Sequence, residues 1–326
     1  MERSSAGTTA LPPSHHRATW VALGLLGLAI GMILFIAVAN LLPGADQLPT
    51  APTGPVDAVL IIATVAAWLS FLVSGTILAI RRPRNPIGWL LLVSGLAIVY
   101  TYFSAEYVQR VTILGWTLPG YRLVDWLEPM FATLGPVLIA VWIPLLFPDG
   151  RLPGPRWRPI ARLMVLAMAA GVALGFLTDN EDEFGRLLPN PTALGGTAEE
   201  LAELAGGVLT VALIGFFVLA LVSVVARFRR SEGIERQQMK WFLAVVGLVF
   251  VSFIGMTVFY VLEAELLATS AWFLNQILIG LVPVAIGIAV LRYRLYEIDR
   301  LISRTIGWAL VTGLLVGAFA LLVLGS

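Results

Sequence analysis

The chain has 326 residues, 59% of them hydrophobic and 13% charged, with a formal net charge of +1. A soluble domain carries about 25% charged residues, so this sequence lacks the charge to cover a watery surface and its expected solvent is the lipid bilayer. The absence of cysteine excludes disulfides, thiolate metal sites and cysteine nucleophiles, and the near-neutral balance suggests no nucleic-acid partner.

The first 18 residues read as a disordered cytoplasmic tail, rich in Ser, Thr and Pro and carrying the sequence's two histidines, His15 and His16. Adjacent histidines in a solvated tail do not make a metal site, and no metal is expected. A helix crosses the hydrocarbon layer with about 20 apolar residues. Runs of that kind fall at Thr19–Leu42, Asp57–Ile80, Ile87–Ala105, Leu127–Phe147, Pro159–Leu177, Leu204–Ala226, Met239–Leu262, Ser270–Val290 and Thr305–Leu324. The expected fold is therefore all-α, a polytopic transmembrane helical bundle of about nine spans. The first run is too long for a signal peptide, and no small-residue cleavage site precedes Leu42-Pro43-Gly44, so it reads as an anchor.

Arginine and lysine set the orientation. With the N-terminus cytoplasmic, all of the 21 basic residues except Arg110, Arg122 and Arg186 fall on the cytoplasmic side. The expected location is a bacterial cytoplasmic membrane, crossed several times.

The cytoplasmic connections are short and punctuated. Asn85 stands at an N-cap position and Pro86 at the first helical position, where a missing N–H costs nothing. Pro148-Asp149-Gly150 is β-turn chemistry. Ser231 is placed to cap the seventh span. In the segment from Leu291 to Arg304, Leu291, Leu295, Ile298 and Ile302 recur at helical spacing, which reads as an interfacial amphipathic helix, either a coupler or a passive surface element.

The external side carries two long connections, Glu106–Trp126 and Thr178–Glu203. The first holds Trp116, Tyr121 and Trp126, which read as a headgroup belt or as the wall of a pocket for an apolar ligand. The second opens on an acidic stretch from Asp179 to Glu183 that lacks the spaced ligands and turn glycine of a calcium loop.

Within the spans, ionisable residues are rare. Asp57, Glu128, Arg162, Glu263 and Glu265 fall at expected span ends, within reach of water, leaving Asn275 and Gln276 as buried polar candidates for helix–helix hydrogen bonds or a ligand cavity. The stretches Gly24–Gly31 and Gly280–Gly287 suit close helix packing, and Pro136, Pro144 and Pro283 suit kinks. No catalytic constellation, cofactor motif or phosphate-binding loop is present.

Four motifs occur in order: Asn85-Pro86-Ile87-Gly88-Trp89-Leu90, then Leu146-Phe147-Pro148-Asp149-Gly150-Arg151-Leu152-Pro153, then Glu235-Arg236-Gln237-Gln238-Met239-Lys240-Trp241, and finally Leu291-Arg292-Tyr293-Arg294-Leu295-Tyr296-Glu297-Ile298-Asp299-Arg300-Leu301-Ile302-Ser303-Arg304-Thr305. Together they resemble the multi-span N-terminal sensor region of actinobacterial-type sensor histidine kinases. That resemblance implies a sensor-like domain over residues 19–326; the expected departure from the family is that the chain stops after its ninth span, where the family has a further span and then the kinase domains. It implies a signal-input function without catalysis in this chain, with the bilayer, a second copy, or a separate kinase and response regulator as partners. Arg236, Trp241, Arg292, Arg294, Tyr296, Asp299 and Arg304 are the expected cytoplasmic coupling residues. The alternative reading is a permease-like transporter of small solutes or lipids.

Overall fold

The computed structural model describes residues 13–49, 54–179 and 188–291, and these are helical with no strand among them. Eight helices are long and apolar enough to cross a membrane. They are α1 (Pro13–Ala39), α2 (Pro55–Arg81), α3 (Pro86–Thr112), α4 (Tyr121–Leu146), α5 (Trp157–Leu177), α6 (Thr197–Arg230), α7 (Gly233–Val261) and α8 (Glu265–Leu291). Each coincides with an expected span. The ninth expected span, Thr305–Leu324, and the amphipathic segment from Arg292 to Arg304 lie outside the described residues.

Several ends differ from the expectation. α1 begins at Pro13, so the last residues of the expected tail form its first turns. α3 runs on to Thr112 and α4 starts at Tyr121, which reduces the long aromatic connection to residues 113–120. The reason is helix length: 27 residues at about 1.5 Å each span roughly 40 Å, some 10 Å more than the hydrocarbon layer. The extra turns carry polar residues that hydropathy alone assigns to a loop.

α2 and α3 form the centre. α1 lies against both, α4 against α3, α8 against α2, and α7 against α8, while α5 and α6 flank α4. The α2–α3 contact depends on glycine. A Cβ on Gly75 would lie 2.4 Å from the Leu92 nitrogen, and one on Gly88 would lie 2.5 Å from that of Ala79, so the backbones meet where a side chain would separate them. α8 meets α2 the same way: Ser70 Oγ lies 2.7 Å from the Gly280 carbonyl, to which it donates. The Gly24–Gly31 stretch packs against α2 and α3 through Leu25, Leu26 and Ala29, but its glycines are not at the contact: nothing lies within 4 Å of a Cβ on Gly24, Gly27 or Gly31.

α4 is not a regular helix. It passes through a π-helical segment, Leu138–Trp142, between Pro136 and Pro144. Pro144 has no N–H to offer the carbonyl four residues back, and widening the ladder by one residue accommodates that loss. The expected kink at these prolines thus takes the form of a local π turn.

The helices alternate in direction, so their connections collect at two ends. One, the arginine-rich end, holds the start of α1 and the turns after α2, α4 and α6. The other holds the connections after α1, α3, α5 and α7.

Candidate functional site

At the arginine-rich end the turns lock together. Asn85 caps α3 as expected, its Oδ1 accepting from the Ile87 N–H at 3.0 Å, and the Trp89 indole donates to the Pro83 carbonyl at 3.1 Å. Gly150, at φ +74°, lies directly against this cap: a Cβ there would sit 2.4 Å from Pro86 Cδ and 2.6 Å from Asn85 Oδ1. Phe147 is buried and stacks on Phe242 of α7 with ring centroids 4.2 Å apart. Arg227, in the last turn of α6, donates to the carbonyls of Phe147 and Leu145. Three of the four sequence motifs, far apart in the chain, therefore meet around Phe147. A shared apolar cluster of Ile87, Leu91, Phe147, Met239, Phe242 and Val290 joins them.

The predicted coupling residues divide. Trp241 is 64% exposed, beside the buried Phe242, so it faces away from this cluster. Arg236 sits with its guanidinium 5.6 Å from the Phe228 ring centre, tying the start of α7 to the end of α6. Arg292, Arg294, Tyr296, Asp299 and Arg304 lie outside the described residues.

The predicted pocket residues divide as well. Trp116 and Tyr121 line one open depression of about 460 Å³ with Val111, Thr117, Leu118 and Pro119. Trp126 is elsewhere: its indole donates to Thr192 Oγ1 at 3.0 Å and its ring lies 4.6 Å from that of Phe176. Asn275 is buried and ties α8 to α7, its Nδ2 donating to Ser252 Oγ at 2.8 Å and to the Val249 carbonyl at 3.2 Å. Its neighbour Gln276 is half-buried on α8.

The end opposite the turns holds what hydropathy missed. Glu106 and Arg110, expected in a loop, stand one turn apart in the last turns of α3 and form an ion pair. Arg110 is 0% exposed, Glu106 7% and Gln109 4%. On α4, Asp125 and Glu128 share one face and are each 4% exposed. This corrects the expectation that Glu128 reaches water at a span end, because α3 packs against the first turns of α4 and covers it. The Tyr100 hydroxyl donates to the Val124 carbonyl at 2.9 Å and lies close enough to Glu128 and Asp125 to interact with their charges.

Arg110 also donates from Nη1 to the Glu106 carbonyl at 2.9 Å, and its guanidinium carbon lies 5.7 Å from the Trp116 ring centre. Its Nε and Nη2 meet no acceptor. Charge buried inside a membrane helix bundle is costly and tends to mark function. This layer encloses one guanidinium, paired with Glu106 on α3, together with the Asp125 and Glu128 carboxylates on α4. An aromatic collar of Phe35, Phe103 and Tyr107, with centroids 5.1–5.3 Å apart, adjoins it from α1 and α3. The spacing of Glu106 and Arg110, four apart as in a helical ion pair, was the one signal the sequence offered. Among the described residues no group of His, Cys, Asp and Glu is arranged to hold a metal ion.

Fold and site together define a class: a multi-pass helical membrane protein with an interlocked set of turns at one end and a buried charge layer towards the other. No protein-family model matches the chain, and comparison with curated proteins and with solved structures finds no match.

Proposed function

We propose that the chain is a signal-input module of a bacterial two-component system, seated in the cytoplasmic membrane with its arginine-rich end inside. The observation that supports this reading is that α3 and α4 each join the buried charge layer to the interlocked turns. α3 carries Glu106 and Arg110 near one terminus and begins at the Asn85 cap; α4 carries Asp125 and Glu128 near one terminus and leads into Phe147 at the other. Packed helices shift between discrete arrangements rather than deforming smoothly. A change of charge or pairing in the layer is therefore carried along both helices, and the π-helical segment of α4 is where register along that path can change. In this reading the chain performs no catalytic step, and a separate kinase and response regulator, or a second copy, receive the signal.

The lack of cysteine makes the test direct. Spin labels on Arg84→Cys and Arg151→Cys, both exposed at the arginine-rich end, report the separation of two turns in the full chain reconstituted in liposomes. Adding Arg110→Gln should shift that distance by about 1–2 Å, the scale of helix shifts in switching proteins. An unchanged distance distribution would sink the coupling idea. Movement of a small solute or lipid by the same liposomes would favour the transporter reading instead.

A further inference from the structure

A second depression, of about 250 Å³, opens between the π-helical segment of α4 and the first turns of α5. Its lining is Trp142, Leu152, Arg158, Ala161, Arg162 and Val165. Three features of it point one way. The Trp142 indole N–H is buried and meets no acceptor. Arg158 and Arg162 stand four residues apart on α5, both exposed, and the one ion pair among the described residues is elsewhere. Like charges at that spacing repel on a helix, and the lining holds no acid to relieve them. The depression thus presents two guanidinium groups and no anion, with an unsatisfied indole N–H buried in its wall.

We infer that this depression binds the phosphate of an anionic phospholipid. Phosphate oxygens only accept hydrogen bonds, which matches the two guanidinium groups, and a small shift of the Trp142 ring would add its unsatisfied indole N–H. The position at the start of α5 adds the favourable end of a helix dipole. Leucine and valine select a lipid over free phosphate: Leu163, Val165 and Leu166 of α5 are 56%, 45% and 65% exposed, an apolar face continuous with the donors that an acyl chain would cover. The π turn explains why Trp142 belongs to the site, since it lies at the end of that segment, at the wall of the depression. The inference does not depend on the signal-input reading.

The test uses the full chain in a neutral detergent, titrated in parallel with dioleoyl phosphatidylglycerol, dioleoyl phosphatidylcholine and inorganic phosphate, with bound adducts counted by native mass spectrometry. Phosphatidylglycerol should be retained most tightly. Arg158→Gln with Arg162→Gln should weaken that adduct about thirtyfold, and Trp142→Phe, which keeps the ring but loses the donor, roughly fivefold. Lysine at positions 158 and 162 should hold the lipid within about threefold of the native chain, because lysine keeps the charge as a phosphate partner. Replacing the exposed Arg229 and Arg230 with glutamine should leave the tightest adduct unchanged. Undiminished phosphatidylglycerol binding by the double glutamine variant, or equal retention of phosphatidylcholine, overturns the proposal. Tight inorganic phosphate with weak lipid assigns the site to free phosphate and overturns it too.

Discussion

Replacing Arg110 with methionine, which preserves length but not charge, should be among the most damaging single changes in the protein. Arg110 is the one cation among the buried charged side chains described, and it pairs with Glu106. Its removal leaves the Glu106 carboxylate enclosed without its ion-pair partner. Breaking a buried pair from one side costs about 3–5 kcal/mol. Glu106→Gln is expected to cost less, about 1–2 kcal/mol, because a neutral acceptor remains for Arg110. The double variant should be more stable than the sum of the singles predicts, by roughly 1–3 kcal/mol. Unfolding of the full chain by SDS titration in mild detergent, followed by tryptophan fluorescence and helicity, gives all three numbers. If Arg110→Met is as mild as Glu106→Gln, or the pair is additive, the layer is not electrostatically coupled and the reasoning fails.

Gly150→Ala should lower stability by about 2 kcal/mol or more, since its φ of +74° disfavours any L side chain and its Cβ would strike Pro86; the same SDS midpoint checks it. Arg227→Met strands the Phe147 and Leu145 carbonyls and should cost about 2–3 kcal/mol, with faster cross-linking of cysteines placed across the α4–α6 contact as the local sign of loosening. Asn275→Ala removes bonds to Ser252 and Val249 and should cost about 1 kcal/mol, a loss that largely disappears when Ser252 is already alanine. For orientation, a cytoplasm-active reporter fused after Arg82 should be on and one fused after Leu118 off; the reverse would overturn the inside placement of the arginines.

The helices were legible because burial in lipid demands long apolar runs, and each of the eight described spans answers to one. The Asn85-Pro86 start of α3 was legible for a local reason, a cap followed by a residue with no N–H to satisfy. What the sequence could not show is contact between distant segments. Nothing in Asp149-Gly150-Arg151 indicates that Gly150 abuts Pro86, and nothing in the Gly24–Gly31 stretch indicates that its glycines make no close contact with another helix while Gly75 and Gly88 do. Phe147 and Trp241 belong to motifs at the same end of the bundle, but it is Phe242, one residue on, that turns inward to meet Phe147.

The charge layer was missed because of where hydropathy draws a boundary. The apolar run of α3 stops at Ala105, so Glu106 looked like the first residue of a loop, and a loop residue is assumed wet. A helix, however, ends where its backbone bonds can be satisfied otherwise, not where its side chains turn polar. α3 continues to Thr112 and carries Glu106, Gln109 and Arg110 on one helical face. α4 enters antiparallel beside it, with the Tyr107 hydroxyl donating to the Pro119 carbonyl and that of Tyr100 to the Val124 carbonyl. The two bonds fix the register of the pair, and that register brings Asp125 and Glu128 alongside α3. A polar segment attached to a long helix in a membrane protein is thus two different things depending on whether a neighbour covers it, and here α4 decides the matter. The consequence is mechanical: the buried charge sits on the two helices that end in the interlocked turns, so moving it requires moving them.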